Sequence, residues 1–242
     1  MRKKSRKTNE KIITSIISLI TVVVLILIGI GNKDVNSYLR EKGIDVPLVT
    51  DSNKQDDTEV STDLKVYFIN VGQADSILII NKDESMLIDA GNNEDGENVV
   101  EFVKKQGVSK LKYLIGTHPH EDHIGGMDDV INSELTIENI LMPKIQTNTK
   151  TFENVLDAIS KKGLKITAPN EGDKFNVGEA NCEIMTDSIL DEKNLNLSSI
   201  IIRLTFGDNS FLFMGDAEKK NEDTREWMST DVLKVGHHRI KY

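Results

Sequence analysis

Cysteine is nearly absent from this 242-residue chain. Cys182 is the only one, which excludes a disulfide framework, a Cys-rich structural zinc site and an intramolecular Cys–Cys redox pair. Stability must come from a packed core, and 38% apolar with 29% charged residues describe a foldable globular chain. Basic residues are outnumbered by acids over most of the chain. Residues 1–31 hold six bases (Arg2, Lys3, Lys4, Arg6, Lys7, Lys11) against the single acid Glu10, leaving 24 bases against 38 acids, a balance of −14, on the remainder. So acidic a remainder disfavours bulk, sequence-independent attraction to a phosphate backbone, and only a local basic groove could oppose that. No internal repeat recurs at a fixed period.

Long apolar runs are also missing, with one exception. Ile12 to Ile30 reads IITSIISLITVVVLILIGI without a charge, enough helix to cross a hydrocarbon core of about 30 Å. The reading is a basic cytoplasmic tail at 1–11, a transmembrane anchor at 12–31, a polar linker at 32–63 and an extracytoplasmic domain at 64–242 of a bacterial single-pass protein. A cleaved signal peptide is the competing reading. Its apolar run should be shorter and end in an A-x-A-like site, and only Gly29 and Gly31 offer small residues here.

From Leu64 the pattern changes to short β-branched runs bounded by turn residues: LKVYFINV, SILII, the turn NKDE, then MLIDAG. Glu97 to Gln106 has helical spacing with Gly107 as its stop, and the apolar strand LKYLIGT runs into HPHEDH. The spacing further predicts a short helix near Met127, a strand at 137–142 and a helix at 152–162. Strands follow near Leu164, Phe175 and Cys182 and at 200–206 and 211–214, then a helix ending near Met228 and a strand at 232–235. Antiparallel strands first and strand–helix alternation later imply layered α/β (α+β) structure, two sheets between helices.

All five histidines fall in two clusters, His118, His120 and His123 in THPHEDHIGG and the pair His237, His238 in LKVGHH. Neutral imidazole is a common metal ligand, and an extended His-x-His pair sends both rings to one side. Asp122 and His123 face a neighbouring position, so four candidate ligands within six residues can serve two adjacent cations. Gly125 and Gly126 permit a sharp turn and close packing beneath them. Asp216 ends the apolar strand FLFMGD, where a carboxylate can bridge two cations about 3.5 to 4 Å apart; a plain strand-ending turn residue is the alternative. Asp89, closing MLIDAG, suits an outer role, accepting an imidazole N–H from a ligand. Asp75 and Gln73 in NVGQADS either position the floor of the site or make a turn. Cys182 and Trp227 read as packing residues, and Asp187 to Glu192 as a solvated loop.

These residues carry a family resemblance. THPHEDHIGG matches the His-x-His-x-Asp-His signature of the metallo-β-lactamase superfamily. Within it, INVGQADSILI, MLIDAGNN, FLFMGDAE and DVLKVGHH, in that order, resemble the hydrolase domains of ComEC-type competence proteins, and are similar to bacterial surface phosphodiesterases. The resemblance covers Leu64 to His238. It implies a metallo-β-lactamase-like αββα sandwich with the site at one edge between the sheets. It also implies a first metal on His118 and His120, a second on Asp122, His123 and His238 (or His237), and Asp216 between them.

The chain departs from the pattern in three places. No histidine lies between 124 and 236, so the third imidazole of the first metal is missing, and Asn194, Asn196, Asp187 or water are the substitutes open to it. Arg239 and Ile240 follow the HH pair where relatives carry small residues. The chain stops at Tyr242, where relatives run on for another strand and helix, so the domain is expected to be incomplete at its C-terminus.

The function expected is that of a membrane-anchored metal-dependent hydrolase, a phosphodiesterase or nuclease working through a hydroxide shared by two divalent ions, with Asp122 and His237 as catalytic groups. Zinc suits the imidazoles best and manganese comes second. The expected partners are a phosphodiester substrate, either DNA or a cell-envelope polymer, and the membrane; no protein partner is expected. β-Lactamase chemistry ranks lower among enzymes because Cys182 is not placed as a ligand. A non-catalytic or degenerate surface protein of the same fold is the competing class.

Overall fold

The structure, a computed structural model, describes residues 63–185 and 189–237. The expected span at 12–31, all of the linker but Asp63, and Asp187, His238, Arg239 and Ile240 lie outside the described residues. Among the described residues no helix is long and apolar enough to cross a membrane.

Two sheets form the body of the domain. The first has strand order β1 (Leu64–Phe68), β2 (Ile77–Asn81), β3 (Glu84–Ile88), β4 (Lys110–Ile115), β5 (Thr136–Leu141) and β6 (Ile166–Thr167). Its first three strands are antiparallel and β3 to β6 run parallel. Helices α1 (Gly96–Lys105), α2 (Glu121–Ile124), α3 (Met127–Asn132) and α4 (Lys150–Lys161) occur in the connections among the parallel strands. The second sheet has the order β11 (Val232–Lys234), β10 (Asn209–Phe213), β9 (Ile202–Phe206), β8 (Ala180–Ile184) and β7 (Lys174–Val177). It is antiparallel except for the β10–β11 pair.

The near-continuous apolar runs of the first sheet follow from burial on both faces. On one face Leu78, Leu87, Leu111 and Leu114 pack with Val99 and Val103 of α1, Met127 and Ile131 of α3, and Val155 and Ile159 of α4. Their strand neighbours Ile77, Ile79, Met86, Ile88 and Ile115 turn the other way and meet Cys182, Ile184, Ile202, Leu204 and Phe213 of the second sheet. The alternation with period two assigns each of these residues to its layer except Leu111, at the start of β4, which joins the helix-facing cluster out of phase with Leu114 and Ile115. Cys182 is core, as expected.

Helix α4 begins two residues before the expected Phe152 because the Thr149 hydroxyl accepts the Phe152 N–H at 3.3 Å, a cap the apolar spacing does not reveal. The helix expected to end near Met228 is instead α5 (Lys219–Glu222). Thr224 Oγ1 donates to the Asn221 carbonyl at 2.7 Å and Trp227 Nε1 to that of Glu222 at 2.8 Å, so side chains take the carbonyls another turn would need. Among the described residues no helix longer than four residues follows α4. Among the described residues, the helical segments after α4 are a 3-10 turn at Leu195–Ser198 and α5, in place of the full second helical layer of the expected αββα sandwich, and the other face of the second sheet carries Met185, Ile201, Leu212, Met214 and Ala217 with Trp227.

Candidate metal centre

The candidate site gathers at strand ends. Asp89 follows β3 and the histidine loop follows β4, parallel neighbours that pair at Ile88 and Ile115. Loops at the carboxyl ends of parallel strands are where α/β sheets form ligand sites. Backbone bonds lace these loops together: Asp89 N–H to Ile115 O at 2.8 Å, Ala90 N–H to His123 O at 2.8 Å, Asp75 N–H to Asp122 O at 3.1 Å and Gly91 N–H to Asp75 O at 2.9 Å. Gly125 is right-handed helical and Gly126 has a φ of −85°, so neither needs the left-handed freedom of glycine. Close approach requires them instead: a Cβ on Gly126 would lie 2.4 Å from Ala90 O, and one on Gly125 2.3 Å from Asn93 N.

His118 and His123 are fully buried, and Asp216 and Asp89 nearly so. Asp89 adopts a left-handed φ of +58°, a conformation of modest cost that aspartate tolerates better than most residues. Its Oδ1 accepts the Thr117 N–H and its Oδ2 the Thr117 hydroxyl, both at 2.8 Å. Oδ2 also lies 2.8 Å from His123 Nδ1, so that ring nitrogen donates to Asp89 and turns Nε2 inward. His123 Nε2 lies 3.2 Å from Asp216 Oδ1 and 3.9 Å from Asp122 Oδ2. His118 Nε2 is 3.0 Å from His120 Nδ1.

Ligand atoms of His118, His123 and Asp216 all lie within 4.8 Å of one another, and so do those of Asp75, Asp89 and His123. Two imidazoles and a carboxylate from two sheets are a donor set that zinc and manganese both accept. Burial, and then the charge of His123, hold His118 well below its ordinary pKa, leaving a neutral ring with a lone pair. Burial opposes charge on His123 too, but Asp89 and Asp216 outweigh it and push it up to about 10. Burial raises the Asp216 carboxyl, yet His123, His118 and Lys234 together hold it well below the usual carboxylate range. The proton on His123 offsets part of the negative charge of Asp89 and Asp216, and a divalent ion would displace it.

Other expected residues are placed elsewhere. His237, at a left-handed φ of +46°, has Nδ1 3.3 Å from Glu218 Oε1 and belongs to neither close-packed group. Asn194 and Asn196 direct their amide N–H groups to Glu218 at 2.9 and 3.1 Å. Lys234, Glu218, Ser199 and Thr117 were not singled out in the sequence. Lys234 and Glu218 stand inside quoted motifs, LKVGHH and GDAE, but a surface lysine and glutamate would read the same.

This fold and this arrangement are those of a protein with a candidate divalent-metal site at its strand ends. The sequence profile described as the metallo-beta-lactamase superfamily matches residues 69–242, and the chain belongs to that superfamily. It is 28% identical over 206 residues to ComE operon protein 3 of Bacillus subtilis (strain 168), covering 75% of this chain and 26% of that protein. It is 26% identical over 184 residues to Recombination protein 2 of Haemophilus influenzae (strain ATCC 51907 / DSM 11121 / KW20 / Rd), covering 73% and 21%. The chain thus spans about a quarter of the length of these relatives. The solved metallo-beta-lactamase SMB-1, in complex with mercaptoacetic acid, shares the fold with a TM-score of 0.51 at 15% identity, covering 71% of this chain and 76% of that one.

Proposed function

We propose that this chain is a divalent-metal-dependent phosphodiesterase whose domain is held at the outer face of a bacterial membrane by residues 12–31. The observation that carries the reading is the convergence of His118, His123 and Asp216 from two sheets onto one buried point. In this reading His118, His120, Asp122, His123, Asp216 and His238 (or His237) hold two cations. Divalent ions there supply Lewis acidity and lower the pKa of water towards neutrality. Asp89 fixes the His123 tautomer through Nδ1, His118 offers a neutral lone pair, and Asp216 stays ionised at neutral pH. Asp122 orients the attacking water, and His237, next to Glu218, protonates the leaving oxygen. The names of the two competence and recombination relatives support DNA as substrate, while the −14 balance supports a smaller or wall-bound phosphodiester.

The test is elemental mass spectrometry of the full chain, purified in mild detergent, followed by hydrolysis assays on bis-p-nitrophenyl phosphate and single-stranded DNA. About two equivalents of metal, with turnover lost on chelation and in Asp216→Ala, are expected. Metal without turnover would favour a non-catalytic protein of this fold, and nitrocefin turnover at a comparable rate would move the substrate to β-lactams. Resistance of the chain to alkaline extraction from membranes tests the anchor, and release into the wash would refute it.

A further inference from the structure

The peptide unit joining Gly215 to Asp216 is gripped on both sides by side chains. Its carbonyl accepts from Lys234 Nζ at 2.7 Å, and its N–H donates to Ser199 Oγ at 3.1 Å. Gly215 has φ of +52°, and a Cβ there would meet Thr117 Cβ at 3.0 Å and Ser199 Cβ at 3.2 Å, so the turn is packed as well as bonded. The backbone of Lys234 is fixed opposite Phe213 in the β10–β11 pair, and the side chain reaches from there over the turn. Its ammonium also pairs with Asp75 Oδ2, from the loop before β2, and lies 3.7 Å from Asp216 Oδ1. The Lys234 side chain is 12% exposed and Ser199 is fully buried. A lysine spent on the surface would make none of these contacts.

We infer that Lys234 and Ser199 are positioning residues that clamp the Gly215–Asp216 peptide and so aim the Asp216 carboxylate at the point where His118 and His123 converge. Rotation of this peptide would carry Cα of Asp216 with it, and ligand geometry tolerates only small displacement. Lys234 has a second effect, linking the turn of the second sheet to Asp75 beside the first, which couples the two halves of the centre. The inference rests on the metal-centre reading above. It adds residues that touch no cation and set how well one is held.

The experiment compares the full chain with Lys234→Met, Lys234→Arg and Ser199→Ala, using Co2+ and Zn2+ as probes. Dissociation constants come from competition with a chelating dye, and the visible absorption of the Co2+-loaded protein reports ligand geometry. Ser199→Ala and Lys234→Met are each expected to weaken binding by about tenfold or more and to shift the Co2+ bands, with Lys234→Arg recovering most of the loss. Ser199→Ala changes no charge, so wild-type affinity and spectrum in that variant would overturn the clamp. Tighter binding in Lys234→Met would also overturn it, showing Lys234 to be only a competing cation. If the wild type binds no divalent ion, the metal-centre reading fails, and hydrogen exchange at the Asp216 amide decides the clamp. Faster exchange in Ser199→Ala and Lys234→Met upholds it, and unchanged exchange overturns it.

Discussion

The two halves of the centre are built differently. The half on the first sheet, comprising Asp75, Asp89 and the histidine loop, is laced by backbone hydrogen bonds and seated on glycines that admit no Cβ. In the half on the second sheet, side chains from separate elements grip the turn that carries Asp216. A residue in the first half therefore holds the fold and the chemistry together. One in the second half chiefly aims a ligand, and fewer backbone bonds depend on it.

The largest expected effect belongs to the first half. Asp89→Ala would strip partners from Thr117 and His123 in a fully buried place, and should lower stability by about 3–5 kcal/mol, measured by urea denaturation. A loss below about 1 kcal/mol, the scale of one ordinary hydrogen bond, would break the comparison. Asp216→Ala should lose phosphodiester turnover by ~100-fold or more while the metal-free protein keeps a cooperative transition. Collapse of that transition would make the halves alike.

A smaller, graded effect comes from pH. Without a cation His123 holds its proton up to about pH 10, so metal must compete with that proton below this value. Apparent affinity should rise by about tenfold per pH unit between pH 7 and 9, and titration calorimetry in buffers of different ionisation enthalpy should show proton release. A flat profile would mean His123 is not displaced. The smallest effect is at Cys182, whose thiol is pushed up to about 12 by burial. It should resist iodoacetamide at pH 8 until the chain unfolds. Because an unfolded thiol ionises near pH 9 and the folded one does not, its contribution to stability falls as pH rises from about 9 to 12.

The histidine signature, Asp89 and Asp216 were legible as chemistry because their residue types are uncommon at that spacing and each ends an apolar strand. Lys234 and Ser199 were not, since lysine and serine are ordinary anywhere, and only three-dimensional proximity distinguishes them. The helix expected through Met228 failed for a related reason. Helical spacing does not show that Thr224 and Trp227 would hydrogen-bond the carbonyls of α5.

By itself the sequence determined the strand and helix periods, and with them which residues are core, because burial imposes a period of two on strands and near 3.6 on helices. It also determined the cluster of candidate ligands, since three histidines and an aspartate within six residues are a local property. Tertiary structure alone decided that Asp216 of one sheet meets His118 and His123 of the other, that Asn194 and Asn196 turn to Glu218, and that Lys234 grips the Gly215 carbonyl. Those contacts join residues up to about a hundred positions apart. A hydrogen bond of that range has no local signature, because it forms only when both sheets have packed.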